Sequence, residues 1–144
     1  MNRRVDEDTK IVLLQRDFLY EVKTIEEDFK ILKPRGFVFF EPILESFLMH
    51  SRNLYEFFYV GGNGDKARAS HFVKEWIKTP PDEIKKWIIR INQYLSHLSY
   101  NRVIEKYKPW DITFIYGHFK SLITEFLSGV PNSYLSPELK ILLK

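Results

Sequence analysis

Arg90 and His97 stand seven positions apart on the margin of an amphipathic stretch, Trp87-Ile88-Ile89-Arg90-Ile91-Asn92-Gln93-Tyr94-Leu95-Ser96-His97-Leu98. At about 100° per residue, seven helical steps return to within about 20° of the start. Arg90, Tyr94 and His97 therefore share one face, beside an apolar stripe of Ile84, Trp87, Ile88, Ile91, Leu95 and Leu98. An imidazole moves protons near neutral pH, and a guanidinium holds a phosphate and stabilises developing negative charge. Metal-free RNA cleavage needs little more: a base for the ribose 2′-hydroxyl proton and a cation on the phosphorane. The two α-carbons would lie about 10.5 Å apart along the axis, a gap that the long arginine side chain can narrow. The same spacing equally suits a surface arginine and a histidine hydrogen-bonded near the helix end.

A second polar group, His50-Ser51-Arg52-Asn53, sits at the edge of a wide apolar arc. Either these side chains satisfy buried neighbours and backbone ends, or they face a groove shared with the next long helix. A ligand pocket between helices would use His50 and Tyr94 as its polar handles. Other chemistries lack their residues. The loop Gly61-Gly62-Asn63-Gly64-Asp65 is followed by Lys66-Ala67, not the Lys-Ser/Thr of a phosphate-binding loop. Di-metal bundles need Glu three before His on two helices, but Phe47, Arg68, Tyr94 and Ile115 occupy those positions. No two histidines stand four apart for a zinc protease, and no G-x-S-x-G elbow is present. Neither a cofactor nor a metal is expected.

The elements that would carry these groups are helical. Ile11, Leu14, Phe18, Val22, Ile25, Phe29 and Leu32 recur at steps of three and four, behind a cap at Asp8 or Thr9. Lys33-Pro34-Arg35-Gly36 breaks that helix, and Phe37-Val38-Phe39-Phe40 reads as a buried connector. Pro42 opens a second helix to about Tyr59. Its stripe of Leu44, Phe47, Leu48, Ser51, Leu54, Tyr55 and Phe58, widened by Ile43 and Phe57, predicts a central position. A short helix is expected around Ala69 to Ile77, a third long one from Thr79-Pro80-Pro81-Asp82 to about Ser99 or Asn101, and a fourth from Trp110 to Leu127. Ile112, Ile115, Phe119, Leu122, Ile123 and Phe126 should point inward, and Ser136-Pro137 should cap a short tail helix. No strand alternation or internal repeat appears, so the expectation is all-α: a single domain over 1–144, an up-and-down bundle of four long helices with one or two short extra ones.

Composition agrees with an ordinary globular chain of 144 residues. Twelve Phe, eight Tyr and three Trp are unusually many, which points to a core or an oligomer interface filled with rings. A net charge of +3 permits contact with polyanions without the concentrated basic stripe of a strong nucleic-acid binder. With no cysteine, disulfides, thiolate catalysis and Cys-based zinc sites are excluded. Met1 to Asp8 lacks the apolar run of a signal peptide, and no run is long enough to span a membrane, so a cytoplasmic protein is expected.

Arg90, six intervening residues and His97 match the R-x(4–6)-H signature, and the chain resembles the HEPN domains. The segments from Phe47 to Phe58 and from Asn92 to Arg102 are also similar to short bacterial proteins grouped near the abortive-infection members of that family. The resemblance implies a small helical bundle, commonly a homodimer, in defence or toxin–antitoxin biology. Members are either metal-independent RNases or non-catalytic partners and scaffolds. Active members usually carry a polar residue after the arginine, where this chain has Ile91. The resemblance therefore implies first a non-catalytic module that holds a protein partner. The alternative is an RNase with Arg90 and His97 as catalytic pair across a dimer, RNA as substrate, and Asn92, Tyr100 and Arg102 as supporting contacts. A small-molecule-binding bundle is the third reading, with His50 and Tyr94 as its polar handles; Arg52 and Asn53, beside His50, are further candidate substrate-binding residues.

Overall fold

Asp6, not Asp8 or Thr9, starts the first helix: its backbone is extended and its carboxylate accepts a hydrogen bond from Thr9 N at 2.7 Å. Helix α1 (Glu7–Val12) then passes through a π-helical stretch, Leu13–Phe18, into α2 (Leu19–Leu32). The cap falls two residues earlier than expected because Glu7 and Asp8, inside the first turn, already complement the helix dipole. The i→i+5 bonding of a π stretch takes one more residue into each hydrogen-bonded loop and so re-phases the apolar stripe. Leu14, Phe18, Leu19, Val22, Ile25 and Leu32 are all buried as a result. A 3-10 turn at Lys33–Arg35 ends the rod, since Pro34 offers no backbone N–H to continue it.

The structure, a computed structural model, describes residues 5–35, 41–59, 65–96 and 109–144, without the side chains of Arg35 and Ser96. Among these residues there are helices and turns but no strand. Helix α3 (Glu41–Tyr59) buries Leu44, Phe47, Leu48, Leu54 and Phe58 together with His50 and Ser51. Its broad apolar arc is matched by three neighbours: α2, α4 (Asp82–Ser96) and α5 (Ile112–Gly129) all pack against it, and α2 also meets α5. The expected connector at Phe37–Phe40 and the continuation of α4 to Ser99 or Asn101 lie outside the described residues.

The short helix expected over Ala69–Ile77 is instead a 3-10 turn, Ala69–His71, followed by irregular chain. A segment this short gains little from helix propensity alone, so tertiary anchors decide its path. Ala69 and Phe72 are buried, and Trp76 Nε1 donates to the Phe58 carbonyl at 2.9 Å. Between these anchors Glu75 takes φ 69°, a left-handed conformation that stops helical continuation.

Asp111 caps α5 by accepting from Phe114 N at 3.0 Å, and Ile115, Phe119, Leu122, Ile123, Phe126 and Leu127 are buried. At its C-terminal end, a Cβ on Gly129 would stand 3.0 Å from Val73 Cγ1, so the glycine lets the helix approach the connection. The tail helix α6 (Pro137–Ile141) is capped by Ser136, whose hydroxyl accepts from Leu139 N at 3.2 Å. Buried Leu139, a Lys23–Glu138 ion pair at 3.1 Å and a bond from Gln15 Nε2 to the Tyr134 carbonyl at 3.2 Å hold this tail against the first rod.

Rings fill the centre. Phe126 lies 5.2 Å from both Phe18 and Phe57 and 5.8 Å from both Phe58 and Trp76, centroid to centroid, mostly edge-on or tilted. No helix among the described residues is long and apolar enough to cross a membrane.

Candidate functional site

Three polar assemblies could carry chemistry, each positioned by different helices. The first lies between α2 and α3. Glu21 accepts from His50 Nδ1 through Oε2, and from Asn53 Nδ2 through Oε1 at 3.1 Å. His50 is 5% exposed, and the Tyr20 ring meets it edge-on at 5.4 Å. One helical stretch further along α2, Asp28 is 6% exposed and has an Oδ2 without a partner among the described residues. Burial raises the Asp28 carboxyl above its ordinary 3.8, and a Ser46 hydrogen bond and the nearby His50 offset only part of that effect. Glu21, His50 and Asn53 satisfy one another across two helices as a part-buried carboxylate–imidazole network, whereas Asp28 Oδ2 and Ser51 Oγ stay without a partner among the described residues. Because an orphaned buried polar group costs about 1–3 kcal/mol, the network favours one register of α2 on α3.

The second assembly is built on α4. Arg90 directs its guanidinium over the Trp110 ring at 3.8 Å and the Trp87 ring at 5.3 Å, and Nη1 donates to the Pro109 carbonyl at 2.7 Å. Tyr94 packs edge-on against Trp110 at 5.5 Å. Tyr94 is 2% exposed, so the apolar stripe of α4 includes it together with Ile84, Ile88 and Ile91. Arg90 therefore fastens the chain before α5 onto α4 through cation–π contact and a charge-assisted bond to backbone. Its expected companions on that chemistry, His97, Tyr100 and Arg102, lie outside the described residues. Asn92 is exposed on α4. Arg52 is half-buried and lines an open groove with Glu45, Ser46, Met49 and Leu95, apart from the Glu21–His50–Asn53 contacts.

The third assembly joins α3 to α5. Tyr59 and His118 stack at 5.9 Å, and the Tyr59 hydroxyl meets His118 Nε2 at 2.8 Å. Burial, with smaller contributions from Tyr55 and Glu125, pushes the Tyr59 phenol up to about 12, while burial lowers the His118 imidazole. Both shifts favour neutral forms, so the hydroxyl donates and the imidazole nitrogen accepts. Tyr55 and Phe114 extend the ring row on either side, at 5.2 Å from Tyr59 and 6.4 Å from His118.

The structure thus brings His50 and Asn53 together, but through Glu21, which the sequence reading did not single out. A signal existed: Glu21 and Asp28 stand seven apart on α2, two carboxylates on the face that otherwise reads as apolar. Tyr59 and His118 carried no comparable signal, because their meeting depends on how α3 crosses α5. Among the described residues no cluster of three His, Cys, Asp or Glu side chains could hold a metal ion. No protein-family model, curated protein or solved structure matches this chain.

Proposed function

We propose that this chain is a HEPN-like, up-and-down four-helix module that acts without catalysis, by holding a protein partner and first a second copy of itself. The setting that fits this reading is cytoplasmic defence or toxin–antitoxin biology. One observation carries it: the guanidinium of Arg90 is stacked over two indoles and tied to a backbone carbonyl, as a fastener would be. A phosphate clamp needs its donors directed at the substrate, and stacking with backbone bonding spends part of that capacity inside the fold. The exposed outer side of α4 offers Ile89, 58% exposed, between Lys85, Lys86, Asn92 and Gln93, an apolar anchor with a polar rim.

An RNA-cleavage and growth-toxicity assay in EDTA, comparing wild type with Arg90→Ala and His97→Ala, tests the reading. The expected result is an inert wild type. Metal-independent cleavage that both substitutions abolish would replace it with the nuclease alternative. Sedimentation of wild type and Ile89→Arg tests the partner: a dimer weakened by the arginine is expected, and a monomeric wild type removes the self-association half of the proposal.

A further inference from the structure

We propose that the hollow between the end of α3 and the connection leading to α4 binds a small monocarboxylate carried on an apolar or aromatic body. The hollow measures about 210 Å³ and is lined by Phe58, Arg68, Ser70, Trp76, Ile77 and Lys78, among others. Its volume suits a ligand of roughly ten non-hydrogen atoms, small beside the usual drug-sized pocket.

The charges select the ligand. Arg68 is half-buried, its Nε is sealed from water without a hydrogen-bond partner, and no acidic side chain pairs with it among the described residues. A guanidinium without a carboxylate partner on the wall of a hollow can take one from a bound anion through its remaining N–H groups. The Arg68 charge is also felt nearby: desolvation first, then Arg68 and Lys10, hold the His71 imidazole below its ordinary 6.5. Lys78 is already neutralised by Glu125 at 2.6 Å. One positive charge is thus open in the hollow, which matches a monoanion better than a phosphate dianion. A carboxylate fits the planar fork of arginine, and Ser70, which also lines the hollow, carries a hydroxyl donor.

The remaining walls select the body. Trp76 is fixed by its bond to the Phe58 carbonyl, with Lys78 Nζ over its ring at 5.0 Å, so the indole forms a rigid wall of the hollow. Ile77 is 90% exposed, an aliphatic side chain held in water at the edge of the hollow. Glu75, next to this pair, keeps its left-handed φ of 69°, a local strain of the kind that accumulates where a loop is held for a ligand. A bound aryl or branched acyl group would cover Ile77 beside the Trp76 indole.

Phenylacetate is the probe, followed by amide-resolved NMR on the full chain, with phenylacetamide and inorganic phosphate as controls. Saturable shifts centred on Arg68 to Lys78 are expected for phenylacetate, with the amide and phosphate weaker by about tenfold or more. Arg68→Gln should weaken phenylacetate by a similar factor. Ile77→Asp, at a position too exposed to affect folding, should weaken it as well, by placing a carboxylate beside the ligand. Absence of saturable shifts, equal binding of acid and amide, or binding unchanged in a folded Arg68→Gln or Ile77→Asp chain would overturn the assignment. Loss of binding here leaves the partner-holding proposal untouched, since that is read by sedimentation.

Discussion

Asp28 shows how one buried side chain can work against the fold at neutral pH. Its carboxyl is raised from 3.8 by burial, so its contribution to stability is fully present below 3.8 and is lost as pH rises through the folded value. Asp28→Asn keeps the shape without the charge. It should raise Tm at pH 7, with the gain fading as pH falls through the raised folded value and absent below the ordinary 3.8. A lower Tm at pH 7 would mean that attraction to His50 outweighs burial. Arg90 offers the complementary case, a cation whose partners include two rings and a carbonyl. Arg90→Ala should cost about 1–2 kcal/mol in denaturant unfolding. Arg90→Lys should recover little of it, because an ammonium cannot stack flat on Trp110. Full recovery by lysine would show that charge alone matters there.

Elements in this chain are terminated by specific local chemistry, and where that chemistry is absent their course is set by contacts. Asp6, Asp111 and Ser136 each cap a helix with a side-chain oxygen, and Pro34 stops one. The connection from 65 to 81 has no such device. It is pinned by Phe72 and Trp76 and bent by Glu75 in the left-handed region. Glu75→Gly removes the Cβ conflict and should stabilise by about 1 kcal/mol, read as a rise in Tm. An unchanged or lower Tm would show that the Glu75 side chain contributes more than its backbone costs.

At the scale of the molecule the aromatic centre dominates. Phe126 touches rings from the first rod, from α3 and from the connection, so it joins elements far apart in sequence. Phe126→Ala should cost about 3–5 kcal/mol in equilibrium unfolding, more than any surface change proposed above. A loss near 1 kcal/mol would mean that the neighbouring rings collapse into the space. The aromatic content therefore serves the interior first, and the proposed partner contacts would draw on exposed apolar side chains such as Ile89 and Met49.

Periodicity alone was enough to place the long helices and their buried faces, because a 3.6-residue repeat of apolar side chains has one geometric solution. The centrality of α3 was legible from the breadth of its arc, and the cap at Ser136 from its residue types. Partners across helices were not legible. Nothing in the local sequence says that His50 meets Glu21, that Tyr59 meets His118, or that Arg90 lies on Trp110 rather than in water, since each depends on the offset and rotation of one helix on another. Tyr94 turned inward for the same reason. Residue type and spacing state which groups could react, whereas packing decides which of them are already engaged with one another.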